Sequence, residues 1–261
     1  MSEPGPLERT LRARRAAGHK LLVPYVTGGL KGWREAIEAA AAAGADAVEV
    51  GIPFSDPVMD GPTIQEASQR ALGAGTTPAG ILEELAKLDA GIPVAVMTYY
   101  NPVFRAGHDR FAGDLRQAGV SAAIVPDLPL EEAGPWCEAA DRAGIETVLL
   151  AAPTTPDERL RRLCERSRGF VYSVGLLGVT GERTSLASSA VDLARRLKAV
   201  TDRPVLVGVG VSNAQQAREA STVADGVIQG ASVVRRLIDG GPDAVGAYVA
   251  EVRAALDELE R

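Results

Sequence analysis

Eight times along this chain a short apolar run of four to seven residues gives way to a longer amphipathic stretch, and that alternation constrains the fold more than any single residue does. The predicted strands are Leu21–Thr27, Ala47–Ile52, Pro93–Tyr99, Ala122–Pro126, Thr147–Ala151, Phe170–Val174, Val205–Val209 and Gly226–Gln229. Each returns through a predicted helix, and several of those helices stop at a glycine suited to a C-cap: Gly44, Gly119 and Gly144. Strands rich in Val, Ile and Leu on both faces belong to a parallel sheet covered by helices. Eight units over about 240 residues fit a closed (β/α)8 TIM barrel better than an open doubly wound sheet. A short extra helix, Pro6 to Ala17, precedes the first strand, and no linker-like segment interrupts the series, so residues 1–261 read as a single domain. Ser212 and Gln215 have capping-box spacing for the seventh helix, and the last helix is predicted over 243–260.

Composition narrows the function classes. A net charge of -6 gives no electrostatic reason to expect nucleic acid. Cys137 and Cys164 show no CxxC or metal-type spacing and read as reduced thiols, while His19 and His108, the only histidines, leave little material for a His metal site or a Ser-His-Asp triad. No signal-like or membrane-length apolar segment occurs, which points to a cytoplasmic protein. The basic run Arg12-Ala-Arg-Arg15 reads as the solvated face of the opening helix.

The chemistry should lie at the C-terminal ends of the strands. The second strand carries a lone carboxylate, Glu49, in an apolar run, where its charge loses hydration and its pKa should rise. Eleven residues later Asp60 stands in a loop stiffened by Pro53, Pro57, Gly61 and Pro62, which should aim it in a preset direction. A competing explanation makes Asp56 and Asp60 turn or helix-cap residues. Asn101, Asp127 and Tyr172 mark further strand ends. Glycines collect after the last three strands, Gly178 and Gly181, Gly208 and Gly210, and Gly230, where bare amides backed by a helix N-terminus can hold a phosphate. An apolar approach flanked by acids on one side and a phosphate cradle on the other suits a phosphorylated substrate with a hydrophobic part and proton-transfer chemistry. With neither a Walker A motif nor a first-strand Gly-x-Gly-x-x-Gly, no nucleotide cofactor is expected.

The block Val48 to Gln65, VEVGIPFSDPVMDGPTIQ, closely resembles the signature of the tryptophan synthase alpha chain family, and the likeness extends through Pro24 to Thr27, Met97 to Pro102, Pro126 to Pro129, Gly178 to Gly181, Gly208 to Gly210 and Gly230 to Ser232. The resemblance implies an indole-3-glycerol-phosphate lyase that needs no cofactor or metal. Such a lyase makes indole and glyceraldehyde 3-phosphate by retro-aldol cleavage and passes indole to a beta subunit in an alpha2beta2 assembly. It implies that Glu49 protonates C3 of the indole ring and helps take the glycerol hydroxyl proton, that Asp60 binds the indole N–H and stabilises positive charge on the ring, and that Tyr172 lies near the glutamate. By the same resemblance Tyr25, Tyr99 and Leu150 line the indole pocket, Gly181, Gly210, Gly230 and Ala231 bind the phosphate through main-chain N–H groups, and Thr180 and Val209 are further substrate-binding positions. Ala231 stands where the family often has Ser, and Val209 where a Phe is frequent. Leu30 with Lys31 and Leu176 with Leu177 alter loops that the family associates with the beta chain. These departures leave two further readings: a stand-alone lyase releasing free indole, and a weakly active interaction subunit.

Overall fold

In the computed structural model, which describes residues 3–175, 188–208 and 210–260, eight parallel strands hydrogen-bond in sequence order and β8 closes on β1. They are β1 (Leu21–Thr27), β2 (Val48–Gly51), β3 (Val94–Met97), β4 (Ala122–Ile124), β5 (Glu146–Ala151), β6 (Val171–Val174), β7 (Val205–Gly208) and β8 (Gly226–Gln229). The helices are α1 (Pro6–Ala16), α2 (Trp33–Ala42), α3 (Pro62–Gly73), α4 (Pro78–Leu85), α5 (Tyr100–Ala106), α6 (His108–Gln117), α7 (Gly134–Ala143), α8 (Asp157–Arg166), α9 (Ser188–Lys198), α10 (Ala214–Ser221) and α11 (Ala231–Asp257).

Alternation within each strand divides the core in two. Leu21 and Val23 of β1, Ala47 just before β2, Ala95 of β3, Ala122 and Ile124 of β4, Val148 of β5, Leu206 of β7 and Ile228 of β8 fill the barrel interior, whereas Leu22, Val26, Val48, Val50, Val96 and Val207 pack under the helices. The seam between β8 and β1 is tight enough that a Cβ at Gly226 would collide with the Leu21 backbone, so glycine is a steric requirement there.

The floor of the barrel is closed by α1, whose Leu7 and Leu11 are fully buried in the interior cluster. Glu146, at the start of β5, accepts the N–H groups of Leu7 (2.8 Å) and Glu8 (3.0 Å), placing a carboxylate at a helix start that lacks any side-chain cap of its own. The basic run of α1 departs from expectation for the same reason. Arg14 pairs with the buried Asp46 and Arg15 with the buried Asp225, while Arg12 bridges Glu8 and the exposed Asp202. These arginines clamp the helix to the barrel floor; a merely solvated face would have left Asp46 and Asp225 without them.

Three local expectations also change. Asn101 lies within α5, exposed, because Tyr99 adopts the extended N-cap conformation and the helix begins one residue later. The cap of α10 is Asn213, which accepts the Gln216 N–H at 2.9 Å, while the Gln216 side-chain oxygen accepts the N–H of Ser212, the residue before the cap, at 2.8 Å; the cap thus lies one residue later than Ser212 and Gln215 suggested. Finally, the helix expected at 243–260 is preceded by another: α11 starts at Ala231 and breaks at Gly241, whose φ of 73° takes the left-handed region just before Pro242.

Candidate active site at the barrel mouth

Glu49 owes its position to the strand period. Val48 and Val50 turn toward the helices, so the residue between them points inward, in register with Tyr25 of β1 and the small Ala95 of β3. It is 1% exposed, and its Oε2 has no hydrogen-bond partner. Burial first, and the nearby charge of Asp60 second, push its pKa up to about 8. A carboxyl group in that state is protonated at neutral pH and close enough to its midpoint to give and recover a proton.

Asp60 arrives from the other side, on the segment leaving β2. That segment is pinned at its start by the Ile52 N–H on the Met97 carbonyl (2.8 Å), in its middle by the Met59 N–H on the Tyr99 hydroxyl (3.0 Å), and at its end by the Gln65 side-chain amide on the Asp60 carbonyl (2.7 Å). The N-cap of α3 is Gly61, with no side-chain capping bond, so Asp60 does not cap the helix. Partial burial raises its pKa to about 6, against a hydrogen bond with Tyr99 that favours the ionised form. Asp56 is exposed and bonded by the Ser55 hydroxyl, as a turn residue would be.

Between the two acids opens a largely apolar cavity. Tyr25, Leu150 and Tyr172 stand on its wall with Met97, Ile64, Val174 and Ile228, and Gly210, Ser212, Gly230 and Ala231 form one rim. Glycine makes room for both tyrosines: a Cβ at Gly51 would strike the Tyr25 hydroxyl, and one at Gly208 the Tyr172 hydroxyl. At the rim Gly210 has φ +92°, with no described residue where a side chain would be, and α11 begins at Ala231 behind an N-cap glycine that offers no side-chain acceptor. Amides at a helix start, with no basic side chain among the described lining residues, suit an anion such as a phosphate ester.

The predicted residues thus converge, with three qualifications. Thr180, Gly181 and Val209, together with Leu176, Leu177 and Gly178, lie outside the described residues. Tyr99 is 5% exposed, is not among the residues that line this cavity, and accepts the N–H of the wall residue Met59 with its hydroxyl. Asp127 accepts the Tyr100 N–H at 2.8 Å, tying the loop after β4 to α5. Sequence reasoning did not single out Met59, Ile64, Met97, Val174 or Ile228; Met97 and Ile228 were accessible as inward positions two residues on from Ala95 and Gly226. Among the described residues no group of three or more His, Cys, Asp or Glu side chains could hold a metal ion.

The family model described as "Tryptophan synthase alpha chain" matches residues 11–260. This chain belongs to the tryptophan synthase alpha chain family. The alpha chain of Thermobifida fusca is 47% identical over 260 residues, covering 97% of this chain and 96% of that one, and the alpha chain of Streptomyces coelicolor is 44% identical, covering 98% and 95%. Among solved structures, a Mycobacterium tuberculosis tryptophan synthase superposes with a TM-score of 0.90 at 39% identity, over 97% of this chain and 99% of that chain. The alpha chain of Legionella pneumophila gives 0.88 at 31% identity, over 98% and 99%. As an alpha chain this protein is a carbon-carbon lyase of tryptophan biosynthesis, cleaving indole-3-glycerol phosphate to indole and glyceraldehyde 3-phosphate.

Proposed function

We propose that Glu49 is the acid and base of this cleavage and Asp60 its electrostatic partner. The observation that carries the reading is a fully buried carboxyl with an unpartnered oxygen, held neutral at pH 7, facing a second carboxylate across an apolar cavity whose rim is made of bare amides. Glu49 gives its proton to C3 of the indole ring, leaving the ring nitrogen as an iminium whose N–H meets the ionised Asp60. The Glu49 carboxylate then takes the proton of the glycerol hydroxyl beside the scissile bond. That carbon becomes the aldehyde, the bonding pair returns to the ring, and indole leaves with Glu49 protonated again. Every proton is accounted for without a metal or cofactor.

Tyr172 closes the far side of Glu49 and keeps water from it, and Tyr25 and Leu150 hold the ring. Gly210, Gly230 and Ala231 grip the phosphate through backbone N–H groups. A beta subunit receives the indole. In support of that partner, the exposed large hydrophobic side chains among the described residues are Val58 and Phe104, one on the segment after β2 and the other on α5 after β3, both on connections that follow strand C-terminal ends. The proposed setting is the cytoplasm, in keeping with two buried cysteines that form no disulfide.

Glu49→Gln tests the reading because it keeps side-chain volume and removes the proton. Turnover is expected to fall by at least about a thousandfold with the circular-dichroism spectrum unchanged. Retention of near-parental turnover by that folded variant would exclude Glu49 as the acid.

A further inference from the structure

The hydroxyl of Tyr99 makes contacts that a cavity wall would not need. Tyr99 follows β3 with extended backbone as the N-cap of α5, on an element separate from the loop of Asp60. Its ring stacks on Phe54 of that loop, centroids 5.1 Å apart and 28° between planes, so the two segments share one rigid aromatic pair. The hydroxyl oxygen accepts the Met59 N–H at 3.0 Å. With that acceptor position filled by the amide next to Asp60, the phenolic proton is left for the Asp60 carboxylate, and the hydroxyl acts on that carboxylate in the direction of its ionised form.

We propose that Tyr99 is the positioning residue of Asp60: it fixes the loop through the Met59 amide and orients the carboxylate with its own hydroxyl, instead of contacting the indole ring. The inference rests on Asp60 being the charge that meets the ring N–H. A carboxylate on a loop can rotate; one held by a phenol anchored to a neighbouring strand cannot, and misplacement by about 1 Å at a reacting centre costs on the order of a hundredfold in rate. The same donor favours the ionised form, opposing the burial that raises the Asp60 pKa to about 6. Among the described residues the other titratable groups facing this carboxylate are Glu49 from β2, Tyr25 from β1 and Tyr172 from β6, all unchanged by a substitution at Tyr99.

The test is Tyr99→Phe, which keeps the ring and its stack on Phe54. Expected are a kcat lowered by about tenfold or more, a KM for indole-3-glycerol phosphate within roughly twofold of the parent, and an acid limb of kcat/KM displaced upward by roughly half a pH unit or more. An unmoved acid limb with parental kcat overturns the proposal, and so does a raised KM with the limb unmoved, since that is how a wall residue behaves. Asp60→Asn, assayed in parallel, separates the two levels. If it retains near-normal turnover, the role of Asp60 itself fails; if it is impaired while Tyr99→Phe behaves as parent, only the positioning role of Tyr99 fails. Should Tyr99→Phe not fold, 3-fluorotyrosine placed at position 99 strengthens the donor and should move the acid limb downward; no movement overturns the proposal.

Discussion

Glu49 shows how one residue can be read from sequence and one property of it cannot. A carboxylate between Val48 and Val50 announces a buried acid, because strand period and desolvation are both local arguments. Strand period by itself does not say which groups sit near it: Asp60 and Tyr172 entered through the strand-end and family arguments, and the barrel adds Tyr25 beside them, each reaching Glu49 from another element. With limbs set by Asp60 ionising and Glu49 deprotonating, the kcat/KM profile is expected to be bell-shaped with apparent midpoints near 6 and 8, measurable by steady-state indole formation. A stability signature follows from the same shift. Because the folded-state pKa of Glu49 lies above its ordinary value of 4.5, its contribution is fully present below pH 4.5 and is lost as pH rises through about 8. Glu49→Gln has no such dependence, so its Tm should gain on the parent's progressively between pH 4.5 and 8.5. A constant Tm difference across that range would mean that the carboxyl is not desolvated.

At the scale of elements, the strands were legible because each is apolar on two faces, and the helix ends at Gly44, Gly119 and Gly144 because those glycines do take positive φ. The elements misread are those whose start depends on a side chain reaching elsewhere. The cap of α10 moved by one residue because Asn213 outcompeted Ser212 for the role, and the start of α11 was hidden by the Gly241-Pro242 break that divides it. Likewise nothing in the local sequence of α1 says that Glu146, 138 residues on, accepts its first amides. Glu146→Ala leaves the Leu7 and Glu8 N–H groups without an acceptor in a buried floor, and should destabilise by about 1–3 kcal/mol, read from the urea midpoint at constant m. Since the floor lies at the opposite end from the cavity, kcat of the folded fraction should stay close to that of the parent; a large fall in kcat would show the two ends to be coupled.

At the scale of the molecule, the closed barrel brings residues 49, 60, 172, 210 and 230 to one mouth, which is why a site scattered over most of the chain could be assembled from strand ends alone. The partner surface was less legible. Substitutions at Leu30 and Lys31 could be noticed in the sequence, but the exposure of Val58 and Phe104 needs coordinates. Val58→Asp with Phe104→Asp should weaken binding of the beta subunit by at least about tenfold, measured by isothermal titration, and leave partner-free indole formation near the parental rate; unchanged affinity would place the interface elsewhere.

All of this depends on Glu49 being a neutral acid at working pH. The most direct measurement is its own titration, followed by carbon-13 NMR of the carboxyl with Glu49→Gln used to assign the signal. A midpoint near 8 is expected; one close to the ordinary glutamate value of 4.5 would contradict the acid-base role and the mechanism built on it.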